Sequence, residues 1–166
     1  GKDSFGPVVI HEGGGHGFGR LLDEYRYYAA ELPSDDKNSI KSWRSKDPYY
    51  GYNLDLTGDR NKVHWAHYFD RPGYEAVSMY EGGCLYEYGV WRPEYISCME
   101  DNRPYYNAPS REAIVRRIMR ASGKTFNMED FISKDKIRSE KGAPQTRTDY
   151  VTEAFVPFAP PIRVER

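Results

Sequence analysis

The apolar positions come in short clusters, and their spacing predicts three helices and two strands. Val8, Val9 and Ile10 run directly into His11, and Phe18, Leu21 and Leu22 carry an apolar face onward. That pattern predicts a helix from about residue 7 to residue 17, stopped by Gly17 and Gly19. A second helix is predicted over 110–122, with Ser110 as N-cap after Pro109, Glu112 in the first turn, Ile114, Ile118 and Ala121 on one face, and Gly123 as the stop. A weaker helix begins near Asn127. Residues 63–69 and 76–80 read as strands. Residues 34–60, rich in Asp, Lys, Ser, Asn, Pro and Gly, read as a long surface excursion, and the stretch around Gly82, Gly83, Gly89 and Pro93 as irregular. Residues 150–166, a short β-like run with Pro157, Pro160 and Pro161, read as an edge strand or a linker toward a further domain.

The chemistry concentrates in the first helix, in the run His11-Glu12-Gly13-Gly14-Gly15-His16-Gly17-Phe18-Gly19, followed by Asp23-Glu24-Tyr25. Two imidazoles on one helix face can hold a zinc ion, and a Glu beside the first can take a proton from a water activated by the metal. The usual spacing is i, i+4, whereas His11 and His16 stand at i, i+5. At about 100° per residue such a pair diverges by roughly 140°, against about 40° for i, i+4. A one-residue π-bulge restores the alignment, and Gly13, Gly14 and Gly15 make it sterically easy at some cost in helix stability. Asp23 stands where a turn brings back a third ligand, with Glu24 as the alternative. Asp23 is equally able to cap a helix or pair with Arg20 or Arg26.

These residues, together with Glu81-Gly82-Gly83, Trp91-Arg92-Pro93, Ser97-Cys98-Met99 and Ser110-Arg111-Glu112-Ala113-Ile114, resemble the IgA peptidase family of metzincin-type zinc metallopeptidases, the igalysins. The resemblance runs over roughly residues 7–120 and is most specific in its first and last motifs. It implies an α+β, zincin/metzincin-like fold and a zinc endopeptidase, exported by gut bacteria, that hydrolyses peptide bonds of a protein substrate. It further implies His11 and His16 as metal ligands, Glu12 as catalytic base and acid, and Met99 as the methionine of a turn beneath the metal. The position six residues after His16, where metzincins place their third ligand, is Leu22, which cannot bind zinc, so that role passes to Asp23 or Glu24. A secreted, periplasmic or cell-surface location follows from the resemblance alone. Only ten residues precede His11, so the β-sheet that normally lies above a zinc-peptidase helix is expected upstream. On this reading residues 1–149 are the C-terminal part of a catalytic domain that carries the active-site helix.

Composition changes the picture little. With 24 Lys and Arg against 25 Asp and Glu there is no basic excess to attract nucleic acid, and a protein or peptide partner is the easier fit. No run approaches the roughly 20 apolar residues that span a bilayer. Cys84 and Cys98 suit either one disulfide or two buried thiols. The fifteen tyrosines supply packing residues and cleft walls, and among them Tyr105 or Tyr106 is a candidate to stabilise an oxyanion. His64 and His67, on opposite faces of a strand, cannot share one ion and read as structural. The rival to an enzyme is a catalytically inactive, zinc-stabilised domain that binds proteins or glycans through its tyrosines, which a closed four-ligand site would favour.

Overall fold

The chain enters through α1 (Phe5–Val9) and continues without a break into a π-helix, Ile10–Gly19, that carries both motif histidines. The computed structural model describes residues 5–138. Arg20, in the left-handed conformation at φ 56°, closes the π-helix with its N–H on the Gly15 carbonyl. The anticipated irregularity is therefore present, but as ten residues of π-helix rather than a single bulge.

Among the described residues, five α-helices, the π-helix, one short 3-10 helix and a three-stranded sheet give a mixed α+β architecture. The sheet order is β1 (Arg26–Glu31), β3 (Leu85–Arg92), β2 (Tyr80–Gly83), with β1 parallel and β2 antiparallel to the central strand. Two predicted strands are corrected. Residues 63–69 form turns and a short 3-10 helix at Ala66–Tyr68, and the strand expected over 76–80 begins only at Tyr80. The stretch around Gly82, Gly83 and Gly89, expected to be irregular, holds β2 and β3. Gly83 pairs with Tyr86 around a two-residue turn in which Cys84 (φ 49°) and Leu85 (φ 74°) are both left-handed. Two-residue hairpin turns of this kind ordinarily use Asn-Gly, and each left-handed ordinary residue costs about 1–2 kcal/mol, so the Cys-Leu pair disguises a strong local constraint.

The supposed surface excursion contains α2 (Ser34–Lys46), of which only Ile40 is buried. Its helix comes from ends that suit the dipole, with Asp35 and Asp36 in the first turn and Arg44 and Lys46 in the last. The helix predicted over 110–122 is α4 (Ala108–Ala121), which starts two residues earlier because Asn107, not Ser110, is the cap, accepting the Ser110 N–H at 3.1 Å. Following the weaker signal, α5 (Met128–Lys134) is capped by Asn127. The short α3 (Cys98–Asp101) is capped by Ser97 and carries Met99. The edge strand or linker expected over residues 150–166 lies outside the described residues.

Three buried clusters support these elements. One, around Trp65, Tyr68, Tyr74 and Phe131, packs beneath α4 and α5, and a second, Leu32, Ile40, Leu54 and Val90, joins α2 to the sheet. The third is small and sits at the π-helix: Leu21, Met99 and Ala113 bring α3 and α4 against it. No helix among the described residues is long and apolar enough to cross a membrane.

Candidate metal centre

The glycines decide how closely other elements approach the π-helix. A side chain at Gly15 would collide with the Met99 sulfur, and one at Gly14 would stand 2.5 Å from the Tyr106 hydroxyl, while Gly13 faces open space. Two of the three glycines are thus required by close approach. Gly15→Ala is expected to lower stability by about 1–3 kcal/mol through displacement of Met99, whereas Gly13→Ala is expected to be neutral or to raise stability by up to about 1 kcal/mol. Thermal midpoints of the two variants provide the comparison, and equal midpoints would remove the packing argument.

Each motif imidazole is oriented by a backbone carbonyl. His11 Nδ1 donates to the Cys98 carbonyl at 2.8 Å and His16 Nδ1 to the Leu21 carbonyl at 2.8 Å. A carbonyl can only accept, so both protons sit on Nδ1 and the neutral rings present bare Nε2 lone pairs. Those two nitrogens are 3.2 Å apart, and each is 3.0 Å from Asp23 Oδ1. Three acceptors therefore converge on one point, an arrangement stable only around a cation, either a proton or a metal ion. Shared in this way, His16 is raised to about 8, first by its hydrogen bond to Asp23. Burial pushes the Asp23 carboxyl up, but the histidines outweigh it and hold the group below its usual range.

His11, Glu12 and His16 together can hold a metal ion, their ligand atoms lying within 4.8 Å of one another. His11 is buried, His16 half-buried and Glu12 exposed. Asp23 adds the convergent oxygen. Glu24 does not, since it is fully buried with Oε1 accepting from Asn53 Nδ2 and Asn107 Nδ2 at 2.7 Å each and Oε2 from Ser97 Oγ at 2.7 Å. Burial raises this carboxyl to about 7.

The network around Glu24 places Asp23. Asn53 clamps the preceding residue, accepting the Leu22 N–H at 3.0 Å and donating to the Leu22 carbonyl at 2.8 Å. The Asp23 carbonyl takes the Cys84 N–H at 2.8 Å, and the Glu24 N–H donates to the Met99 carbonyl at 2.8 Å. Met99 is fully buried against Gly15, Leu21 and Ala113. Segments far apart in the chain thereby meet: Arg92 Nη1 reaches the Glu81 and Gly82 carbonyls at 3.0 Å each, and Ser97 and Asn107 both reach Glu24.

No family model matches the chain, and a search of curated proteins finds no match.

Neither tyrosine proposed for an oxyanion faces the centre. Tyr105 donates to Glu94 at 2.6 Å and Tyr106 to the Ile10 carbonyl at 2.5 Å. Tyr25 stands there instead, its ring 6.3 Å from that of His11 and its hydroxyl pushed up to about 12, by burial first and then by Asp23. Sequence reasoning also missed Asn53, which no local pattern marks, and Asn107, which a cap signal before Ala108-Pro109 could have shown. Cys84 and Cys98 are free thiols. A cavity of about 520 Å³ lies between α4 and α5, with none of His11, Glu12, His16 or Asp23 in its walls.

His64 and His67 stay apart from the centre, as expected, though for a different reason than strand geometry. His64 lies 3.2 Å from Asp55, and His67 donates to the buried Glu112 at 2.9 Å. Glu112 also accepts from Tyr68 at 2.9 Å and Arg116 at 2.7 Å. Burial pushes Glu112 up, yet His67 and Arg116 outweigh it and hold it below the usual glutamate range. A depressed carboxyl stabilises the fold above its unfolded value and ceases to do so as pH falls through its folded value. Stability is expected to drop below about pH 4, and Glu112→Gln to shrink that acid-side drop, as followed by denaturant midpoints against pH. An unchanged slope in the variant would remove Glu112 from the acid limb.

Proposed function

We propose that this chain carries the metal centre of a zinc-dependent endopeptidase of igalysin type, with a zincin/metzincin-like arrangement around the π-helix. The observation that carries the reading is the convergence of His11 Nε2, His16 Nε2 and Asp23 Oδ1, with both imidazoles fixed by carbonyls. Two nitrogens and one carboxylate oxygen match the donor set of catalytic zinc sites, which keep a fourth position for water or substrate. Zinc, when bound, supplies Lewis-acid polarisation of the scissile carbonyl.

The residues of the chain do the rest. Glu12, exposed beside His11, accepts the proton of the attacking water and returns it to the leaving amine. Asp23 and the two carbonyl-anchored histidines hold the donor triangle, and the Glu24 network keeps Asp23 in place. Tyr25 helps to hold Asp23, its hydroxyl donating to that carboxylate. The rival reading, an inactive zinc-stabilised binding domain, would need Glu12 as a fourth ligand.

The test is metal content. After chelation and reloading, the protein is expected to hold one zinc per chain, and His16→Ala and Asp23→Ala each to lose it, by elemental analysis. A protein that takes up no metal when zinc is supplied would overturn the reading.

A further inference from the structure

A cavity of about 310 Å³ opens beside the metal centre, and Asp23 belongs to its wall. Its other walls come from α2 and the β2–β3 turn, with Leu32, Ile40, Trp43 and Tyr86 as apolar surface and Asp36 as the charged group. The turn is stitched to the metal-ligand segment, because Cys84 and Leu85 donate their N–H groups to the Asp23 and Tyr25 carbonyls at 2.8 and 3.1 Å. A group seated in the cavity therefore lies next to the segment that supplies the third ligand.

We infer that this cavity receives a lysine or arginine side chain of the peptide substrate, its aliphatic stem on Trp43 and Ile40 and its cationic end at Asp36. The inference rests on the peptidase reading above and adds the substrate class. The charges around the cavity favour it. Among the described residues no cation pairs with Asp36, since its neighbour Lys37 is held by Glu31 at 2.6 Å. Arg44, on the same helix, points its guanidinium at the carbonyls of Tyr50, Gly51 and Leu54. Asp23 spends its carboxylate on the two histidines and Tyr25. The Cys84 thiol, pushed up to about 12 by burial first and then by Asp23, stays neutral. Asp36 is left exposed at the mouth of an apolar pocket, in the first turn of α2. Trp43, about half exposed at 46 %, offers a face for an aliphatic stem or a guanidinium.

The experiment uses the zinc-loaded full chain carrying Glu12→Gln, so that peptides bind without turnover, and follows tryptophan emission. Short peptides that differ only in carrying Arg, norleucine or Glu at each position in turn are titrated. At one position, Arg is expected to bind roughly tenfold more tightly than norleucine, with Glu weakest. Adding Asp36→Lys is expected to reverse the order of Arg and Glu at that position, which a merely structural role for Asp36 would not do. Equal affinities for Arg and norleucine, an unchanged order with Asp36→Lys, or no binding of any peptide would each overturn the inference. Peptides that bind in the expected order yet are not cut by the unmodified protein would uphold the pocket and sink the peptidase reading. Cleavage without preference for a basic residue would do the opposite.

Discussion

Glu12→Gln is expected to keep its zinc and to lose peptide hydrolysis by at least about a hundredfold, the lower end of what a positioned general base contributes. The amide preserves size and shape, so the donor triangle of His11, His16 and Asp23 is undisturbed, but it cannot accept the proton of the attacking water. Two measurements are required on the same sample: zinc by elemental analysis and turnover of a peptide library by mass spectrometry. Loss of zinc along with activity would assign Glu12 as a ligand and favour the non-catalytic domain. Turnover within a few-fold of the unmodified protein would exclude Glu12 from proton transfer.

The second large effect is on stability. Glu24→Ala is expected to cost about 3–5 kcal/mol, because it strands three buried donors, Asn53 Nδ2, Asn107 Nδ2 and Ser97 Oγ. Glu24→Gln is expected to stay close to the unmodified protein. Its amide oxygen can take both asparagine donors, and its nitrogen can donate to the Ser97 hydroxyl, which is free to rotate. Denaturant unfolding distinguishes the two, and a mild Glu24→Ala would mean that the network can relax. The same pair tests ligand assignment, since Glu24→Gln should retain zinc if Asp23 supplies the oxygen.

Much of the centre was legible from residue order. The spacing of His11 and His16 demanded a widened helix turn, and a π-helix is present. Asp23 converges with them while Glu24 turns away into the interior, a choice that residue order left open. What periodicity could not reveal were elements formed for other reasons. The α2 helix buries one residue, so its amphipathic signal is nearly absent and its evidence lies in terminal charges. The β2–β3 hairpin turns on Cys84-Leu85, which carries none of the usual Asn or Gly. Asn53 acts through its side-chain amide on a backbone 31 residues away, an order of contact to which local patterns are blind.

The π-helix carries a further consequence. In a regular helix, one additional residue rotates everything after it by about 100°. Here the ten residues of Ile10–Gly19 absorb that slip within themselves, and the left-handed Arg20 hands the chain on to Leu21 and Asp23. The quantity a metal ion would sense is the position of donor atoms in space, and residue count is only a proxy for it. An insertion between two ligands is therefore tolerable wherever glycine lets the helix widen, and counting residues between histidines is a less faithful guide to a metal site than asking whether the backbone between them can change its pitch.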